Sequence, residues 1–148
     1  KFSDFYNLMN SLYSIYTKYN DLESYINDFT NKNTEADYLD ALIAGIKANG
    51  IPKDKKSACK RLCLMLRWLV RDDNKIDLGI WKSLSKTKLY IPLDVHVNRV
   101  SRNLGLLKRN ASDFKAVQEL TENCRKYYLE DPTIMDFALF GSGFTEKK

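Results

Sequence analysis

The sequence predicts an all-α protein, and three observations carry that prediction. Apolar residues recur at three- and four-residue spacing through most of the chain, which is the period of one helix face. Ser, Asp or Asn stands ahead of several of these runs, where a helix start needs a side-chain acceptor. No pair of alternating apolar runs is joined by a tight-turn signal, and there is no internal repeat or low-complexity linker.

The elements follow in order. Phe5, Leu8, Met9, Leu12, Ile15 and Tyr16 predict a first helix, with Ser3 or Asp4 at its start. A second runs from Asp21 to Phe29. A third starts after Asn33-Thr34, carries Leu39, Leu42, Ile43 and Ile46, and stops at Asn49-Gly50. Residues 51–56 form a short basic connection containing Pro52. A fourth helix runs from Ser57 to Arg71; Ala58, Leu62, Cys63, Met65, Leu66, Leu69 and Val70 make it apolar almost all round, the pattern of a buried central helix. Asp72-Asp73-Asn74 is a turn, and 75–91 is expected to form short helical turns. Pro92 precedes a helix with Asp94 near its N-cap that ends at Leu104-Gly105. Another spans Ser112 to Tyr127, and the last begins after Asp131-Pro132, where proline suits the first helical position.

With 148 residues the chain is expected to form a single domain: a helical lead-in over 1–50, a basic region over 51–110 and C-terminal helices over 111–148. Hydrophobic residues at 44% against 29% charged exclude a disordered chain. No apolar run reaches the roughly 20 residues of a membrane span. The start at Lys1-Phe2-Ser3, without Met or a signal-like leader, predicts a chain lacking an N-terminal segment, and a cytoplasmic location is the default expectation. Three cysteines supply no disulfide framework, and one histidine supplies no zinc site, so neither metal nor cofactor is expected.

The charge is unevenly placed. Residues 1–50 carry 4 Lys/Arg against 7 Asp/Glu, residues 51–110 carry 15 against 5, and residues 111–148 carry 5 against 7. A strongly basic centre between acidic flanks fits a polyanion-binding patch or, equally, a solvated lysine-rich surface.

Two residues in that centre can carry chemistry. Asp94 opens a helix, where an Asp is ordinarily a cap. Lys60 falls in the first turn of the fourth helix, where the positive end of the helix dipole disfavours an ammonium ion. A neutral amine is a nucleophile and an ammonium is not. Lys60, Arg67 and Arg71 share one helical stripe, which either follows a phosphate backbone or snorkels out of a buried helix.

The segment Pro92-Leu93-Asp94-Val95-His96-Val97, with Arg99-Val100 and Leu104-Gly105-Leu106, resembles the aspartate segment of the helix-hairpin-helix (HhH-GPD) DNA glycosylases. More closely, five runs resemble the uncharacterised bacterial DUF2400 proteins: 57–62, 66–68, 77–82, 91–96 and 131–141. That likeness covers roughly residues 50–145, with the first 50 matching only loosely.

The resemblance implies a base-excision repair enzyme, a DNA glycosylase with AP-lyase activity. Asp94 would stabilise positive charge on the sugar and help activate the nucleophile. Lys60 would attack C1′ of a flipped-out nucleotide, since the glycosidic bond is inaccessible inside a stacked duplex. His96 and Arg99 would lie near the DNA backbone. The family hairpin has glycines; here none stands between Pro52 and Lys60, and Lys53, Lys55 and Lys56, with Arg67, would supply the phosphate contacts instead. The 34-residue separation of Lys60 and Asp94 is closer to that of the archaeal 8-oxoguanine glycosylases, which points to an oxidised purine. No cysteine cluster follows Cys124, so no iron–sulfur cluster is expected. Phe140 and Phe144, on the helix that lines the base pocket in related enzymes, are the base-pocket candidates, ahead of Trp68 and Trp81. The implied partner is double-stranded DNA with a damaged base, bound by a monomer in a bacterial cytoplasm, close to the nucleoid. Two alternatives stay open: a non-catalytic module that recognises distorted or abasic duplex, and nucleotide or RNA chemistry on the same fold.

Overall fold

The computed structural model describes the backbone of residues 2–73 and 75–145 and the side chains to Ser142. Among these residues there are seven α-helices and no strand; the extended pairings are two isolated bridges, Ser57 with Asp113 and Asp72 with Leu78. The helices are α1 (Phe2–Tyr19), α2 (Leu22–Lys32), α3 (Tyr38–Gly45), α4 (Lys60–Val70), α5 (Val95–Asn103), α6 (Phe114–Arg125) and α7 (Met135–Thr145). Short 3-10 turns lie at Lys86–Lys88 and Pro132–Ile134.

Aspartate starts four of these helices. Asp21, Asp37, Asp94 and Asp113 each sit in extended backbone and accept the N–H three residues on, which satisfies one of the donors a helix start leaves over. At Asp37 the bond is reciprocated by the Asp40 side chain. α1, α2 and α3 pack on one another, and α5 has its most extensive helix contact with α7. Ile26, Leu39, Leu42, Leu62, Leu66, Leu89, Ile91, Val97, Val117, Leu120 and Leu139 belong to one core that runs through all these helices except α1, which adds Ile15. Burial of such side chains stabilises by roughly 1.5–3 kcal/mol each before chain entropy is subtracted.

Several elements differ from the sequence expectation. α3 stops at Gly45, not Asn49-Gly50, because the backbone turns extended at Ile46; the Tyr25 ring packs where a side chain at Gly45 would be. α4 begins at Lys60 rather than Ser57. Ser57 is held in a bridge to Asp113, and Cys59 is left-handed with φ 49°. Residues 75–91 hold a single short 3-10 turn; the rest is irregular, tied to α4 where the Leu78 and Gly79 N–H groups both donate to the Trp68 carbonyl. α1 buries only Ile15, with Leu8 and Leu12 against the core, while Phe5, Met9 and Tyr16 face solvent. α4 is central on one face only, because Lys60, Arg61 and Trp68 are exposed. All three cysteines are buried and free.

Candidate active site

Lys60 and Asp94 meet although 34 residues separate them. Lys60 is the first residue of α4, placed there by the left-handed turn at Cys59. Asp94 is the cap of α5: its Oδ1 accepts the Val97 N–H at 2.8 Å, and its Oδ2 lies 3.5 Å from Lys60 Nζ. The lysine side chain is 48% exposed and the aspartate 13%, so the pair sits at a boundary between solvent and interior.

Two cavities share this pair. One, of about 290 Å³, is lined by Lys60, Asp94, Trp68, Phe140, Arg67 and Asp136, with Leu64 and Pro92. The other, of about 570 Å³, runs along α5 past Arg99 and Arg102 to Ser112. The first is a slot that combines apolar side chains with charged groups converging from α4, α7 and the start of α5, the general form of a small-molecule pocket. His96 stacks edge-on against Phe140 with ring centroids 6.2 Å apart, tying α5 to α7 beside the slot.

Arg67 and Arg71 neither line a surface stripe nor reach out of the helix into solvent. Arg67 is only 6% exposed; its Nε donates to Asp77 Oδ1 at 3.3 Å and its Nη1 to Asp136 Oδ2. Arg71 is equally buried and donates to Asp73 (2.7 Å), Asp77 (3.1 Å) and Asp131 (2.7 Å). The Phe137 ring lies against both guanidiniums, at 4.6 and 5.1 Å. At 6% exposure and paired to two carboxylates, Arg67 is out of reach of a backbone phosphate and serves as a structural ion and a wall of the slot.

Lys55 is also engaged within the protein, donating to Asp37 at 3.0 Å and Asp40 at 2.7 Å. Lys53 and Lys56 are exposed; Lys56 pairs with Asp54, and Lys53 lines a separate cavity with Ile43 and Lys47. Much of the basic centre thus neutralises acidic residues of the same chain. The Phe144 side chain lies outside the described residues. Trp81 packs against the core, whereas Trp68 lines the slot.

Asp136 is the residue the sequence expectation missed. It lies on α7, buried, in an otherwise apolar stretch from Met135 to Phe140. Burial pushes its carboxyl up to about 6, helped by the charges of Asp94 and Asp77 and opposed by Arg67. The available signal was a lone acid in an apolar helix.

The DUF2400 family model, described as a protein of unknown function, matches residues 1–145. The chain belongs to the DUF2400 family. The match takes in the first 50 residues, which the motif comparison joined only loosely, so α1–α3 are part of what defines a DUF2400 chain. No curated protein and no solved structure matches this DUF2400 chain. Among the described residues no helix is long and apolar enough to cross a membrane, and no group of three or more His, Cys, Asp or Glu could hold a metal ion.

Proposed function

We propose that this DUF2400 protein is a DNA glycosylase with AP-lyase activity that removes a damaged base, an oxidised purine such as 8-oxoguanine, from double-stranded DNA. The observation that carries the proposal is the approach of Lys60 Nζ to Asp94 Oδ2, 3.5 Å, at the rim of an aromatic-lined slot. An amine beside a carboxylate has the parts of a nucleophile and its electrostatic partner. Trp68 and Phe140 give a flipped base two faces to stack on, worth roughly 1–3 kcal/mol per base. The α5 groove with Arg99 and Arg102 offers charge to the flanking backbone.

In this mechanism Lys60, once it has lost a proton to solvent, attacks C1′. The C1′–N bond breaks and its electron pair leaves with the base. The Asp94 side chain stabilises the positive charge that builds on the sugar. The C1′–O4′ bond then opens, with a proton passing from the lysine nitrogen to O4′, and leaves a Schiff base; this is reducible, so borohydride should trap a covalent complex with damaged or abasic duplex, and Lys60→Ala should abolish it. A wild-type protein that binds such duplexes yet never traps on any of them is not a lyase of this kind.

A second reading, a non-catalytic module for distorted or abasic duplex, draws on the connection between α3 and α4. Its lysines replace the glycines that a phosphate-gripping hairpin needs. Lesion-dependent affinity without base release would select it.

A further inference from the structure

We infer that Asp136 is the proton donor to the leaving base, a catalytic residue additional to Lys60 and Asp94. The inference rests on the glycosylase reading and deepens it. Attack at C1′ leaves an electron pair on the departing base nitrogen, and that pair must be neutralised by a proton from an acid within the pocket or from solvent. Asp136 lines the same slot as Lys60 and Asp94, but from α7.

The charge balance around Asp136 favours a retained proton. Behind the slot, four carboxylates (Asp73, Asp77, Asp131 and Asp136) face two guanidiniums, Arg67 and Arg71. With every acid ionised, the cluster holds two negative charges more than its cations neutralise. Asp77 is enclosed by both guanidiniums, and Asp131 has Arg71. Asp73 has Arg71 and, in addition, backbone N–H groups from Lys75, Ile76 and Asp77. Asp73, so held, keeps its carboxyl well below the usual range, and Asp77 and Asp131 each keep a guanidinium partner. Among the described residues Asp136 is ion-paired with Arg67, which it shares with Asp77.

The groups facing Asp136 come from three elements. α4 brings Arg67, Lys60 and the Cys63 thiol, the 72–80 connection brings Asp77, and α5 brings Asp94. His96 of α5 packs one turn further along α7, on Phe140. Two of these neighbours are anions, which together with burial hold the carboxyl near 6, within the range where a carboxylic acid both keeps and gives up a proton. Arg67 binds Oδ2, which leaves Oδ1 to carry the proton.

The step balances. Lys60 as a neutral amine forms the N–C1′ bond, the C1′–base bond breaks, and the electron pair takes the Asp136 proton. The lysine nitrogen gains one positive charge and Asp136 one negative charge, beside Arg67. No oxidant or further reactant is needed.

The test compares two substrates in each variant: a panel of duplexes each carrying one damaged base, including 8-oxoguanine, and a duplex carrying an abasic site. The abasic duplex has no base to protonate, so trapping on it reports Lys60. The ratio of base release to abasic trapping isolates the proton donor. In the wild type that ratio should fall as pH rises above about 6. Asp136→Asn should lower the ratio roughly 100-fold, at the low end of what a positioned acid contributes, and remove its dependence on pH. Asp136→Glu should restore part of the ratio and the pH dependence. An unchanged ratio and pH profile in Asp136→Asn would overturn the inference, as would abasic trapping by a wild type that releases no base. Absence of trapping on abasic DNA by the wild type would instead sink the glycosylase reading itself. Should Asp136→Asn not fold, the Asp136→Glu ratio decides alone: a pH profile identical to wild type in position and slope would count against the acid.

Discussion

Asp94 uses its two carboxylate oxygens for different purposes: Oδ1 receives the Val97 N–H at 2.8 Å and Oδ2 lies 3.5 Å from Lys60 Nζ. Substitution can separate them. Asn caps a helix as well as Asp does, whereas Ala costs about 1 kcal/mol. Asp94→Asn should therefore unfold in urea near the wild-type midpoint, and Asp94→Ala should unfold earlier. Both should lose borohydride trapping. Full trapping by Asp94→Asn would show that the charge facing Lys60 is dispensable.

The Arg67 guanidinium holds two buried carboxylates, Asp77 and Asp136. Arg67→Met leaves both without that partner, and breaking a buried pair from one side costs about 3–5 kcal/mol. A loss under about 1 kcal/mol by denaturant titration would mean that the buried acids stay neutral together.

Salt dependence distinguishes the exposed Lys53 and the part-buried Arg99 of the α5 groove from lysines held by carboxylates. Each phosphate contact adds about 1 to the slope of log K against log salt. Lys53→Ala and Arg99→Ala should each flatten the slope for duplex DNA by about that amount. Lys55→Ala should leave the slope alone, because Lys55 is held by Asp37 and Asp40, and should instead weaken the start of α3.

The raised Asp136 carboxyl couples folding to pH. Its folded value, about 6, lies above the unfolded value of 3.8, so between them the native state binds more proton than the unfolded chain. The stabilisation is present in full below pH 4 and is lost as pH rises through 6. The difference amounts to at most about 3 kcal/mol at 1.36 kcal/mol per unit. The stability of the wild type should fall relative to Asp136→Asn across that window, and parallel urea midpoints from pH 4 to 7.5 would refute it.

Gly79 has φ +54°, and a Cβ there would lie 2.6 Å from Asp72 Cβ. Gly79→Ala should cost about 1–3 kcal/mol and loosen the turn whose N–H groups bind the Trp68 carbonyl. Fluorescence of the two tryptophans, Trp68 and Trp81, measured with and without abasic duplex, reads that effect.

Local signals in the sequence located the helices, because helix periodicity and Asp caps are written within a few residues. Asp94 and Asp113 were readable in this way, and so was Lys60 in the first turn of α4. The role of Arg67 was not, because its partners lie 10 and 69 residues away and one-dimensional spacing placed it on a stripe with Lys60. Asp136 was hidden for the same reason. The irregular course of 75–80 depends on Asp77 being drawn inward between two arginines while Ile76, Leu78 and Ile80 turn to solvent, an inversion of the ordinary polarity pattern that no local rule anticipates.

The buried thiols give the molecule a record of its own opening. Burial raises Cys59 and Cys63 and holds Cys124 near 11, so at neutral pH hardly any of the reactive thiolate forms in the native state. Alkylation must wait for the structure to part. Cys59 and Cys63 flank the start of α4 beside Lys60, while Cys124 closes α6. The order in which the three acquire label would therefore tell which side of the fold loosens first, and whether a bound duplex clamps the lysine side before the other.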